Sequence, residues 1–290
     1  MHEAERRDTV RRIARAGDPD RTLASLFAPR DARDDLVALY AFNVELARIA
    51  EHVSEPDLGA IRLQWWREAI DRAGEGTTTG HPVADAFGAA IRRHRLSGER
   101  IAALIDARIF DITTKTMTDR PALESYLHDT AGTVFMLAAQ SLGATSHALQ
   151  PISSSAGMAY GLAGLMRAIP VHAVQGRVYL PADALKRRGT SPERVRARKA
   201  DDGLLALLAE LRAEAREALD RAQQGIALLD ERSRAAFLPL RLVDPYLAAL
   251  EKKGRDPLRK VADINPLYRL WRLAVGSGRR PKQGGSSWPT

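Results

Sequence analysis

The chain has 290 residues, 45% of them hydrophobic, no cysteine and a formal net charge of +8, which allows a sizeable core and excludes disulfides, thiolate zinc sites and cysteine nucleophiles. It holds no run of about 18 apolar residues that could span a bilayer, and its opening MHEAERRDTVRRIARAGDPDR is expected to be neither a signal peptide, for want of an apolar segment, nor a transit peptide, because of its acids. The charge is uneven: the first 145 residues carry 19 Lys and Arg against 22 acids, the remainder 25 against 14.

Taken in chain order, the elements read as helices. DARDDLVALYAFNVELARIAEHV sets Leu36, Leu39, Tyr40, Val44, Ile49 and Val53 near one stripe with charges opposite, and Pro56 ends it or begins the next. DLGAIRLQWWREAIDRA is a second helix, stopped at Gly74; HPVADAFGAAIRRHRL is a third, with Pro82 suitably early. SGERIAALIDARIFDITT reads as a fourth. ALESYLHDTAGTVFMLAAQSLG is long, apolar and expected to be central. YGLAGLMRAIPVHAVQGRVYLP follows, an apolar helix with small residues, one internal Arg and no carboxylate, the character of a pocket-lining element. DDGLLALLAELRAEAREALDRAQQGIALL is amphipathic and expected to face solvent, and SRAAFLPLRLVDPYLAALEK and NPLYRLWRLAVG close the chain. No alternating pattern outlasts about four residues, RVYL included. The expectation is an all-α single domain over 1–275 and a flexible C-terminal tail over 276–290.

Most familiar chemistry is missing. There is no nucleophile elbow, no glycine-rich phosphate loop, no His-x-x-x-His and no Cys cluster. Asp31, Asp34 and Asp35 stand at i, i+3 and i+4 and could hold Mg²⁺, but they follow Pro29-Arg30 at a helix start, where acids complement the dipole. Asp201-Asp202 reads the same way, and His172, without partners in sequence, reads as structural. The basic segment KRRGTSPERVRARK, with Lys186, Arg187, Arg188, Arg194, Arg196, Arg198 and Lys199, reads first as solvated helix faces; its functional alternative is contact with an anionic membrane surface. With 6% aromatics and no recognisable module, nucleic acid is not an expected partner.

Five blocks in this order, LVALYAFNVELARIAEHVSEP, LQWWREAI, YLHDTAGTVFMLAAQSLG, YGLAGLMRAIPVHAVQGRVYLP and PYLAALEKKGRDP, resemble the successive blocks of the squalene/phytoene synthase family, from about Asp18 to Gly276. The resemblance implies an isoprenoid-synthase-type helical bundle around a deep central cavity. Active members couple two prenyl diphosphates head to head with Mg²⁺ held by two Asp-rich helices, because ionising an allylic diphosphate requires its charge to be neutralised.

Carried over by position, the first acidic motif falls on Ala47, Arg48 and Glu51, and the second on Ala168 and His172. The Gln and Asn that precede the second motif correspond to Gly161 and Gly164, and the diphosphate-contacting serine motif to Asp18-Pro19-Asp20, acids that repel phosphate unless turned away. No metal is therefore expected. Where active members read AGTVG, Phe135 puts a ring in the path of the substrate chain. Tyr40, Tyr126 and Tyr246 match cavity-lining tyrosines, here expected to serve mainly as packing; Val44, Thr130 and Val134 complete the candidate lining. Arg48 and Arg167 could grip a phosphate directly, and Arg177 and Tyr179 are expected to fix the helix exit by hydrogen bonds.

FNVELARIAEHVSEPDLGAIRLQWWREAI and RAIPVHAVQGRVYLP more closely resemble the branch containing the mitochondrial respiratory complex I assembly factor, which also has an Arg-Ala-x-Pro step in place of acids. The resemblance implies a non-catalytic member with a lipid or isoprenoid ligand, a complex I subunit or assembly protein as partner, and a cytoplasmic location, with peripheral contact at the inner membrane as an option. The alternative is an active prenyltransferase on farnesyl or geranylgeranyl diphosphate whose Mg²⁺ site is displaced to Glu51 and Glu45. A third reading is a lipid-binding scaffold unrelated to complex I.

Overall fold

The computed structural model describes residues 3–53, 55–145 and 148–277. α1 (Glu3–Gly17) leads to α2 (Pro19–Ser25), which starts where Asp18 accepts a 3.1 Å hydrogen bond from the Arg21 N–H and Pro19 fills the first turn. α3 (Arg33–His52) is an inner helix with the register expected from its stripe: Leu36, Leu39, Tyr40, Val44 and Ile49 are buried. α4 (Pro56–Gly74) and α5 (Pro82–His94) each open on their proline. Of the two adjacent tryptophans of α4, Trp66 is buried and Trp65 is exposed.

Two expected helices are broken. The fourth divides into α6 (Gly98–Ala107) and α7 (Ile109–Thr113), and Arg108 between them is turned into the interior. The long apolar helix is α8 (Arg120–Leu127) and α9 (Thr133–Ser141) joined by a π turn at His128–Gly132. At that turn the backbone touches α10 (Leu149–Val174): a Cβ on Gly157 would lie 2.4 Å from the Gly132 nitrogen, so only glycine permits the approach.

α11 (Ala182–Arg187) and α12 (Pro192–Arg196) are short. α13 (Asp202–Ile226) does not simply face solvent. Its leucines 204, 207, 208, 211 and 219 are buried along α10, and only the opposite face is wet. α14 (Glu231–Arg234), a 3₁₀ stretch (Ala235–Leu242), α15 (Val243–Leu250) and α16 (Pro266–Gly276) complete the order. Among the described residues the only β pairing is an isolated bridge between Thr116 and Val178, and no helix is long and apolar enough to cross a membrane. Of the expected tail, residues 278–290 lie outside the described residues.

The acids near Pro29 are structural, though not as helix-start caps alone. Asp35 is buried against Arg93 (2.6 Å) and His94 (2.7 Å) of α5, Asp34 pairs with Arg11 (2.9 Å) of α1, and Asp31 meets Arg232 of α14 (2.5 Å). Asp201 does cap α13, accepting from Leu204 at 2.8 Å.

Where the resemblance places a substrate chain, the interior around Phe135 is packed. Its ring stacks on Phe237 at 5.6 Å and 6°, meets Tyr160 edge-on at 5.6 Å, and lies under the Arg21 guanidinium at 5.0 Å. Phe135 is 1% exposed and Phe237 3%, leaving no room there for an added chain.

Candidate functional site

Helical spacing puts Ala47, Arg48 and Glu51 at the C-terminal end of α3, and Gly161, Gly164, Ala168 and His172 along one face of α10. Ala47, Arg48, Ala168 and His172 are half-buried and Glu51 is exposed. No hydrogen bond or ion pair joins the Arg48 or Glu51 side chain to another described residue. No group of three His, Cys, Asp or Glu able to hold a metal exists among the described residues. Arg177 instead donates to the Ala50 carbonyl at 2.6 Å. A cation thus ties the exit of α10 to the negative end of α3, as expected for the helix exit.

Beside His172 lies a polar knot that the sequence does not announce. The Tyr179 hydroxyl donates to Asp111 Oδ1 at 2.7 Å and the Tyr126 hydroxyl to the same oxygen at 2.9 Å. Arg108 donates to Asp111 Oδ2 at 3.2 Å, to the Tyr126 hydroxyl at 3.1 Å and to Asn43 at 2.9 Å. Asp111 and Arg108 are both buried, so this carboxylate is already matched by a cation and two hydroxyls and has little left to offer a metal. The signal available in sequence is an Asp and an Arg three apart within the otherwise apolar ARIFDIT. The His172 ring lies 4.5 Å from that of Tyr179. Burial pushes its pKa down to about 4, with Asp111 opposing and Arg177 adding to the shift, so it is neutral at pH 7. Thr130 donates to the Tyr126 carbonyl at 2.5 Å and anchors the π turn.

The second cluster gathers around α2. Asp18 pairs with Arg21 at 2.9 Å, and the Arg21 guanidinium lies 4.4 Å from the centre of the Tyr160 ring. Burial opposes the Arg21 charge, and Asp18 together with the neighbouring tyrosine hydroxyls and its own hydrogen bond outweighs it. Tyr40 is buried beside this pair, and its hydroxyl pKa is raised by that burial.

Asp20 points the other way. Its Oδ2 accepts a 2.6 Å hydrogen bond from Tyr246 and lies 3.8 Å from Arg167. Its Oδ1 lies 2.9 Å from Arg269 Nε, whose N–H is not aimed at it, making the contact an ion pair without a hydrogen bond. Arg167 stacks on the Tyr246 ring at 3.4 Å and donates to the Ala262 carbonyl at 2.8 Å, and both arginines reach Asp263. Burial raises the Asp20 pKa, against the Tyr246 hydrogen bond and the two arginines. Beside this group opens a cleft of about 390 Å³ whose wall includes Asp18, Tyr160, Gly164, Arg167 and Tyr246. Its acids Asp18, Asp20 and Asp263 cancel the arginines, which leaves a poor seat for a diphosphate.

The candidate lining therefore divides. Gly164 opens on the cleft, with nothing within 4 Å of the place of a Cβ. Gly161 is a packing glycine, because a Cβ there would meet Leu127 at 2.6 Å. Val44 packs on Gly17, and Val134 and Phe135 are core residues. Arg48, Glu51, His172, Arg177 and Tyr126 belong to the α3–α10 end; Arg167 and Tyr246 belong to the cleft. The basic segment is not a free cationic face. Arg187 pairs with Asp183 (2.7 Å), Arg188 with Glu210, Arg194 with Asp201 (2.6 Å) and Arg196 with Glu193 (3.1 Å), while Arg198 donates to the Leu258 carbonyl (3.1 Å). Lys186 and Lys199 alone of the seven make no such contact with the described residues.

A squalene/phytoene synthase family model matches residues 14–272. The complex I assembly factor 6 of Bos taurus is 29% identical over 244 residues, covering 84% of this chain and 73% of that protein. Phytoene synthase of Mycobacterium tuberculosis (strain ATCC 25618 / H37Rv) is 30% identical over 215 residues, covering 71% and 68%. The crystal structure of squalene synthase HpnC from Alicyclobacillus acidocaldarius superposes with a TM-score of 0.76 at 24% identity, covering 88% of this chain and 95% of that one.

Proposed function

The chain belongs to the squalene/phytoene synthase family, and we propose that it is a non-catalytic member with a role in the assembly of respiratory complex I. One observation carries the reading: the α3 and α10 positions that would face each other across Mg²⁺ hold Ala47, Arg48, Ala168 and His172, with Arg177 bridging their ends. A Mg²⁺ ion needs several oxygen ligands, and Glu51 supplies one carboxylate. Arg48 would repel a divalent ion placed between the helices by several kcal/mol even at a high effective dielectric. Without the cation the leaving diphosphate has no electrophile to draw it off, and that electrophile accounts for much of the rate acceleration in such chemistry. The arginine clamp around Asp20 supports the same reading, since a carboxylate of the chain occupies it.

The assembly role rests on relatives named as complex I assembly factor 6. It keeps the chain in the cytoplasm beside the membrane where complex I is built, with a complex I subunit or assembly protein as partner. A lipid or isoprenoid ligand is the lesser part of the reading, because Phe135, Tyr160 and Phe237 fill the interior. The alternative of an active head-to-head prenyltransferase draws on the similarity to phytoene synthase, but needs Mg²⁺ on Glu45 and Glu51, six residues apart and a poor helical pairing. Deletion of the gene tests the assembly role: NADH:ubiquinone activity and assembled complex I should fall and return on complementation with the full chain. Unchanged complex I in the deletion strain would refute it.

A further inference from the structure

α16 is held by one side only. Leu273 is fully buried with Ala24, Leu238, Leu242 and Tyr246, and Arg269 reaches inward to Asp20. The other side is also apolar. Leu267 is 76% exposed, Leu270 43%, Trp271 54% and Val275 54%, and their spacing sets them on a continuous outward stripe. The Tyr268 ring stacks on Trp271 at 5.7 Å and 22°. A contiguous apolar face on a surface helix marks an interaction site.

Charge narrows the occupant. Between Pro266 and Gly276 there is no acid, and among the described residues from Lys252 to Ser277 seven Lys and Arg face two Asp, with Lys252, Lys253 and Lys260 exposed and outside any ion pair. The stripe itself carries no charged group to fix the register of a protein partner; a bilayer requires none. Leu, Trp and Tyr on one face with basic residues alongside are the composition of helices that lie in the headgroup region.

We propose that α16 docks the protein flat on a bilayer containing anionic phospholipid. Leu267, Leu270, Trp271 and Val275 enter the boundary of the acyl chains, and the exposed Lys252, Lys253 and Lys260 that precede the helix hold the headgroups. The basic segment from Lys186 to Lys199, largely paired within the fold, is not the contact. The inference is independent of whether the protein is catalytic.

Co-flotation of the full chain with vesicles tests it. Vesicles of phosphatidylcholine with about 30% phosphatidylglycerol should bind, phosphatidylcholine alone should bind far less, and binding should weaken as salt is raised from about 0.1 to about 0.5 M. Leu267→Ser with Trp271→Ser should weaken binding about tenfold or more, with the thermal transition unchanged; Leu270→Ser serves if that pair lowers the transition. Leu228→Ser, an exposed leucine elsewhere, should bind as the unaltered protein does. The proposal is overturned if the protein does not bind, or if the α16 variants bind equally well. It is also overturned if Lys186→Glu with Lys199→Glu abolishes binding while the α16 variants do not, or if the α16 variants only dissociate a dimer.

Discussion

Buried Asp20 of α2 and half-buried Arg269 of α16 form an ion pair at 2.9 Å that joins the start of the chain to its last described helix. With Tyr246 on the second carboxylate oxygen and Arg167 alongside, the acid sits inside a set of donors suited to a phosphate. A neutral residue at this place would leave the arginines free; aspartate neutralises them.

Asp20→Ala should therefore do two things. It should lower stability by about 1–3 kcal/mol, because Tyr246 loses its acceptor and the half-buried Arg167 and Arg269 keep only Asp263 as a counter-charge, and it should create an anion site. Pyrophosphate added in a thermal-shift measurement should raise the transition of the variant and leave the unaltered protein unmoved. A variant indifferent to pyrophosphate would show that the clamp does not bind anions when empty.

His172 predicts a pH dependence. Its pKa falls from 6.5 unfolded to about 4 folded, so the unfolded chain binds the extra proton and stability is lost as pH drops through that interval. The loss amounts to about 3 kcal/mol by pH 4. Burial raises the Asp20 pKa and works in the opposite sense at the acid end, which makes the difference between protein and variant the useful quantity. Urea unfolding from pH 7 to pH 4 should show His172→Gln losing less than the unaltered protein; parallel curves would mean His172 titrates normally.

The Asp111 knot should behave as one unit. Asp111→Asn leaves Arg108 buried without its counter-charge and should cost about 3–5 kcal/mol, whereas Tyr179→Phe removes one hydrogen bond and should cost about 1 kcal/mol. In the double variant the two costs should fall short of their sum, as urea titration can measure. Strict additivity would mean that Tyr179 and Asp111 are energetically separate.

Phe135→Gly empties the space between Phe237 and Tyr160. A loss of about 3–5 kcal/mol is expected. A loss under about 1 kcal/mol would show that the ring fills no packed site.

Much of this was legible in the chain itself. The period of α3 and α10 fixes which residues share a face; that acids would be needed where Ala47, Arg48, Ala168 and His172 stand is what the family resemblance implies. What sequence could not supply are pairings across long separations. Asp20 meets Tyr246 and Arg269, and Asp111 meets Tyr179, because helices far apart in the chain pack side by side, and no local pattern encodes that. The same reason explains the basic segment, which reads as a charged face until Glu210 and the Leu258 carbonyl arrive from other elements. The π turn at His128–Gly132 is likewise set by contact with α10, against the helix propensity of an uninterrupted apolar run.

The loss of metal-assisted ionisation is tested most directly by diphosphate release from farnesyl and geranylgeranyl diphosphate with Mg²⁺ or Mn²⁺ present. The full chain should release no more than buffer does and yield no head-to-head product. Metal-dependent release that Glu51→Ala abolishes would contradict the account and return the protein to the prenyltransferases.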